Sequence, residues 1–247
     1  MRYFIELSFH GKAYCGWQNQ PNAVSVQQVV EEALSILLKA KVDIVGAGRT
    51  DSGVHASQMF AHFDSPNEID ISNFIYKLNS ILPNDISVQD IFRVNDDAHA
   101  RFDALSRAYH YRISTTKNVF TNDFAYRLQL PLDIEKMNKA CNILLEHRDF
   151  QCFSKSNTDV KTYHCIIEKA EWIKKNDELV FIIVADRFLR NMVRAIVGTM
   201  IKIGLGKIQV EDLLTIIASK NRSKAGYSVP AHGLYLAQIK YPESIKL

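Results

Sequence analysis

The run Val45-Gly46-Ala47-Gly48-Arg49-Thr50-Asp51-Ser52-Gly53-Val54-His55-Ala56-Ser57-Gln58-Met59-Phe60-Ala61-His62-Phe63 sets a polar, glycine-rich loop between two apolar segments. Val42 to Val45 has the composition of a buried strand, and Met59, Ala61 and Phe63 alternate as a second strand does. Gly46, Gly48 and Gly53 allow sharp turns and close approach to a ligand, because glycine reaches positive φ at little steric cost. Such a loop can hold Arg49 and Asp51 close together. An aspartate with an unperturbed pKa of ~3.9 is ionised at neutral pH, and a guanidinium within reach favours that state further. Asp51 therefore suits a nucleophile or base better than a proton donor. Asp51-Ser52-Gly53 is also common turn chemistry, so the tripeptide alone leaves a purely structural role open.

On either side of this run the periodicity predicts β-α-β-β-α-β for the first half of the chain. Tyr3, Ile5, Leu7 and Phe9 form one face of a half-buried strand. Ser25 with Gln28 makes a capping box for a helix that keeps apolar spacing from Val26 to Ala40. Beyond the central loop, Ile71 to Leu82 predicts a helix halted by Pro83, and Ile86 to Val94 a strand. The second half repeats this order. Ser106 to Thr116 predicts a strand, Asp133 to His147 an N-capped helix, and Ile166 to Ile173 with Leu179 to Asp186 two strands about a Lys-Lys-Asn-Asp turn. Helices over Arg187 to Gly204 and Val210 to Ser219 and a strand over Leu234 to Tyr241 complete it. The expectation is an α+β protein of two duplicated ferredoxin-like halves, 1–104 and 105–247, with antiparallel or mixed sheets joined side by side. A catalytic cleft is expected where they join.

At 247 residues the chain is long enough to bury a sizeable core, and 47% hydrophobic with 23% charged residues are ordinary globular values. Cys15, Cys141, Cys152 and Cys165 show no Cys-x-x-Cys spacing, and no secretory leader pattern precedes Arg2-Tyr3-Phe4, which points to a reduced, cytoplasmic protein. Cys152, His164 and Cys165 lack a suitably spaced fourth ligand, so no metal is expected. No run of about 18 apolar residues predicts a membrane span. A net charge of +3 does not announce nucleic acid, so an RNA reading has to rest on where the basic residues cluster.

Two further constellations carry chemistry. In Arg107-Ala108-Tyr109-His110-Tyr111-Arg112-Ile113, the tyrosines share one strand face, which on pattern alone is ordinary sheet packing. Over Arg187 to Gly204, helical spacing puts Arg187, Arg190 and Arg194 within roughly 60° of one another, opposite Leu189, Met192, Val193, Ile196 and Met200. Three arginines without interleaved acid suit a phosphate or carboxylate partner, against the alternative of a solvated face. Trp17 fits a core plug and a functional surface equally well.

Gly48-Arg49-Thr50-Asp51-Ser52-Gly53-Val54-His55-Ala56 resembles the catalytic loop of the tRNA pseudouridine synthase A family, whose motif aspartate is the nucleophile. The resemblance continues through Gly16-Trp17-Gln18-Asn19-Gln20, Ala100-Arg101-Phe102-Asp103-Ala104 with Arg107-Ala108-Tyr109-His110-Tyr111, Phe188 to Gly198, and Val229 to Leu236. It covers nearly the whole chain. It departs from the family pattern at Asp103, where many members carry serine, and at Phe153-Ser154, where many carry Phe-Arg; Lys155 or Lys161 is a candidate substitute for that arginine.

The resemblance implies the pseudouridine synthase fold and isomerisation of uridine at positions 38, 39 and 40 of the tRNA anticodon stem-loop, without a cofactor, by a homodimer. It implies that Asp51 is catalytic, that Tyr109 stacks on the target base, and that Arg49, Arg194 and Leu234 contact substrate, Leu234 lining the base pocket where core packing is the competing view. Arg187 and Arg190 would meet RNA backbone. A non-catalytic RNA-binding protein on the same fold is one alternative. Another is a glycosidase-like hydrolase that uses Asp64 or Asp103 as the second carboxylate.

Overall fold

The computed structural model describes residues 1–155 and 160–247. Two compact units result: Met1–Leu105 with Tyr235–Leu247, and Ser106–Leu234.

In the first unit β1 (Arg2–Phe9), α1 (Val26–Leu38), β2 (Val45–Gly46), β3 (His55–Asp64), α2 (Ile71–Ile81) and β4 (Ile86–Val94) follow in chain order. Their sheet runs β4-β1-β3-β2 with every neighbouring pair antiparallel, the arrangement of a split β-α-β unit. Tyr3, Ile5, Leu7 and Phe9 are buried, as their alternation predicts, but Phe4 on the opposite face is equally buried. It lies edge-on to Tyr241 at 5.3 Å and beside Phe92 at 5.8 Å, so β1 is covered on both sides there.

Helix α1 starts where Ser25 accepts the Gln28 N–H at 3.1 Å. Only that half of the capping box has the expected form, because the Gln28 amide donates forward to Glu32. The predicted strand over Val42 to Val45 shrinks to Val45–Gly46. Its backbone groups are satisfied by helix side chains instead of a ladder: Ser35 Oγ accepts from Val42 N, Glu31 Oε1 accepts from Ile44 N, and Gln27 donates to the Ile44 carbonyl. Val42 and Ile44 are still buried, so the apolar run serves the core without pairing as a strand.

The second unit contains β5 (Ser106–Ser114), β6 (Tyr126–Arg127), α3 (Ile134–Glu146), β7 (Ile167–Lys175), β8 (Glu178–Ala185), α4 (Met192–Gly204) and α5 (Asp212–Ala218). Its sheet runs β5-β8-β7, antiparallel throughout, with β6 parallel beside β5. The last strand, β9 (Leu234–Lys240), is where the expected division 105–247 and the compact units differ. From Tyr235 onward the chain belongs with the first unit. Tyr235 and Leu236 pair parallel with His55 and Ala56 of β3, and Ile239 N donates to the Gln58 side chain at 2.9 Å.

The predicted helix over Arg187 to Gly204 also needs correction. It begins at Met192, because Asn191 adopts a left-handed conformation at φ 67° that no continuing helix tolerates. Arg187 and Arg190 therefore lie in the non-helical segment after β8, and the three-arginine helical stripe does not form. Helix α4 is buried on nearly every side; Arg194 and Lys202 are its partly exposed residues. No helix among the described residues is long and apolar enough to cross a membrane.

Candidate active site

The loop between β2 and β3 is built as a turn whose closure uses the main chain of Asp51. Its carbonyl accepts the Val54 N–H at 3.2 Å, and Gly53 takes φ 79°, the left-handed position such a turn requires. The side chain of Asp51 is half-buried, and Arg49 is exposed. Of the three loop glycines, Gly53 is needed for its φ, and Gly46 because a Cβ there would meet the Trp17 indole at 2.2 Å. Gly48 has neither requirement; the space beside it is open.

A second loop, residues 10–17, braces this turn on both sides of Asp51. The Tyr14 carbonyl accepts from Ser52 Oγ at 3.2 Å and from Gly53 N at 3.4 Å, while Thr50 Oγ1 accepts from Trp17 N at 3.0 Å. Gly16, at φ 102°, passes so near Thr50 that an added Cβ would lie 2.2 Å from its carbonyl oxygen. Trp17 itself is buried, with its ring 6.2 Å from Phe9, and so serves the core. At the start of β3, His55 accepts the Gly11 N–H on Nδ1 and is flanked by the rings of His10 at 4.6 Å and Tyr235 at 4.7 Å. Thr50 and Gly16 lie in the family motifs, but no sequence pattern shows that they and Tyr14 brace this turn. Their contribution comes from contacts across the chain that no periodicity reports.

In the second unit Tyr109 and Tyr111 differ in environment. Tyr111 is fully buried, and its hydroxyl donates to the Pro230 carbonyl at 2.9 Å; burial pushes its phenol well above the ordinary range. Tyr109 is only half-buried, with Phe188 edge-on at 5.1 Å and 84°. Phe188 belongs to the same non-helical segment as Arg187 and Arg190, so that segment borders the Tyr109 ring. Arg190 is exposed, and its carbonyl accepts the backbone N–H of exposed Lys155, which places the two basic residues side by side. The predicted stretch Phe150 to Ser156 is described only as far as Lys155.

Arg194 is fastened to the segment before β9. Its Nε donates to the Val229 carbonyl at 2.7 Å, and its own carbonyl accepts from Val229 N at 3.3 Å. Two glycines permit this: a Cβ on Gly198 would lie 1.9 Å from the Tyr227 oxygen, and one on Gly226 only 2.4 Å from the Gly198 backbone. Leu234 is buried at the start of β9, and Gly233 before it makes room for the Tyr111 ring.

The sequence profile described as tRNA pseudouridine synthase matches residues 7–103 and 140–242 of this chain. The chain belongs to the tRNA pseudouridine synthase family. It is 51% identical over 245 residues to the tRNA pseudouridine synthase A of Parabacteroides distasonis, with 99% of this chain and 97% of that protein covered. To the protein of the same name from Bacteroides fragilis it is 50% identical over 246 residues, with 99% and 98% covered. To that from Bacteroides thetaiotaomicron it is 51% identical over 247 residues, with 99% and 92% covered. Membership of the tRNA pseudouridine synthase family makes the chain an α+β isomerase with the pseudouridine synthase fold.

The other carboxylates nominated for hydrolysis are engaged elsewhere. Asp64 takes two hydrogen bonds from Arg2, at 3.0 and 2.9 Å, and that guanidinium holds it below the usual carboxylate range, the reverse of what a general acid needs. Asp103 accepts the His99 N–H at 2.7 Å. Burial pushes the thiols of Cys152 and Cys165 up to about 12, so both remain thiols at neutral pH. Among the described residues no group of three His, Cys, Asp or Glu side chains is placed to hold a metal.

Proposed function

We propose that this chain isomerises uridine to pseudouridine at positions 38, 39 and 40 of the tRNA anticodon stem-loop, with Asp51 as nucleophile. The observation that carries the reading is a half-buried carboxylate on a turn braced through both neighbours, Thr50 and Ser52, in a loop with open space beside Gly48. Asp51 acts at the ribose edge. The C1′–N1 bond breaks, the uracil turns, and C5 joins C1′. The proton lost from C5 is matched by one gained at N1, so no cofactor, oxidant or second substrate is required.

Drawing uracil out of the stack costs a few kcal/mol, and stacking on an aromatic ring returns about 1–3 kcal/mol. Tyr109 takes the stacking role, supported by its half-exposed ring. Arg49 and Arg194 contact the flipped nucleotide, and Leu234 lines its pocket. Arg187, Arg190 and Lys155 meet phosphates and supply the remaining binding energy. The protein works in the cytoplasm as a homodimer, with the anticodon arm as its RNA partner.

The test is mass mapping of tRNA incubated with the purified chain. Pseudouridine confined to positions 38–40 is the expected result. Free uracil would identify a hydrolase, and unmodified tRNA a protein that only binds RNA.

A further inference from the structure

The brace around Asp51 leads back to one side-chain pair. The Tyr14 carbonyl is the acceptor for both Ser52 and Gly53, so the position of Tyr14 sets the position of the turn. The Tyr14 ring is buried, and its hydroxyl donates to Asp85 Oδ1 at 2.6 Å. Asp85 is itself tied to the end of the sheet. It immediately precedes β4, Phe9 of β1 is in register with Ile86, and the Asp85 carbonyl accepts the His10 N–H at 2.8 Å. The path therefore runs from sheet to Asp85, to the Tyr14 hydroxyl, through the Tyr14 backbone, to the residues next to Asp51.

We propose that Tyr14 and Asp85 are positioning residues for this reaction, and that their hydrogen bond is the strut that holds the Asp51 turn against the sheet. This rests on the assignment of Asp51 as the reacting carboxylate. Neither side chain touches substrate in this account. A charge-assisted O–H···O− bond of this length is among the stronger hydrogen bonds in a protein, and it crosses 71 residues of sequence. Burial and the Asp85 carboxylate both raise the phenol above its ordinary range, so the hydroxyl stays a donor throughout the working pH range. Without the strut, the loop keeps its local turns and its backbone tie from His10 to Asp85, but Tyr14 loses the side-chain anchor, and the carboxylate loses its fixed placement. Misplacement of a reacting group by about 1 Å costs on the order of a hundredfold in rate.

The experiment compares Tyr14→Phe, Asp85→Ala, Asp85→Asn and Asp51→Asn by kcat at saturating tRNA and by tRNA Kd. Tyr14→Phe and Asp85→Ala should lower kcat by roughly tenfold or more with Kd within about threefold, because the strut orders the turn and binds nothing. Asp85→Asn keeps an oxygen that accepts from the phenol and should retain kcat within about threefold of wild type. The double variant Tyr14→Phe/Asp85→Ala should cost no more than either single change, as for two ends of one bond.

Wild-type kcat in Tyr14→Phe, with Asp51→Asn inactive, would overturn the strut and leave the role of Asp51 standing. Activity in Asp51→Asn would instead overturn the reading beneath it. If Tyr14→Phe does not fold, the Asp85 pair decides alone: equal kcat in Asp85→Asn and Asp85→Ala contradicts the proposal.

Discussion

At the scale of single residues, two aromatic side chains a dipeptide apart show how different the environments of two like residues on one strand can be. Tyr111 is enclosed and spends its hydroxyl on the Pro230 carbonyl, while Tyr109 keeps part of its ring accessible beside Phe188. Replacing Tyr109 by Ala should therefore weaken tRNA binding by about 1–3 kcal/mol and lower kcat further, whereas Phe in its place keeps the stacking part. Titration of tRNA against the three proteins checks this; unchanged Kd for the alanine variant would remove Tyr109 from the base site. The role proposed for Tyr109 rests on its family motif, since alternation alone puts both tyrosines on one face. For Asp51 the turn was legible in Gly53 two residues on, whereas its proposed catalytic role was again legible only through the family motif. What steadies that turn lay in Tyr14 and Asp85, far away in sequence and without a periodic signature.

At the scale of elements, a local backbone event overrides a good pattern. The apolar spacing from Leu189 to Met200 is helical, yet Asn191 breaks it and moves Arg187 and Arg190 off the helix. The phosphate role proposed for these two then depends on a loop instead of a stripe. Changing both to Gln should reduce the slope of log K against log salt by up to about two phosphate equivalents, and an unchanged slope would show them facing bulk water. The opposite case is α4 itself, where the sequence shows a helix but not what crosses it. Gly198 admits the backbone of Tyr227, which in turn lets Val229 hold Arg194. Gly198→Ala should destabilise the fold by about 1–3 kcal/mol through overpacking and lower activity alongside. Urea unfolding measures the first effect; wild-type stability would mean that the crossing yields at little cost.

At the scale of the whole molecule, the order of the main elements was readable because most strands and helices carry their own period. The allocation of β9 was not readable. Its pattern is that of any half-buried strand, and its pairing with β3 depends on register at His55 and Ala56. Stability should show one buried titration in particular. Burial, and next to it the charge of Arg2, lowers the pKa of His62 to about 4, and its Nδ1 accepts the Ala100 N–H. The neutral ring's contribution is complete above its unfolded pKa of about 6.5 and is lost as pH falls toward 4. His62→Gln, which retains an acceptor, should lose less stability than wild type between about pH 7 and 4.5, by on the order of 1–2 kcal/mol in urea melts. Equal losses would place the acid sensitivity elsewhere. The central claim is that one carboxylate, on Asp51, performs the isomerisation. Its most direct test is tritium release from uracil-labelled tRNA by wild type and Asp51→Ala at matched tRNA occupancy. The account predicts no release by the variant with Kd within about threefold of wild type, since the carboxylate acts in the chemical step and not in binding. Release at an undiminished rate would contradict it.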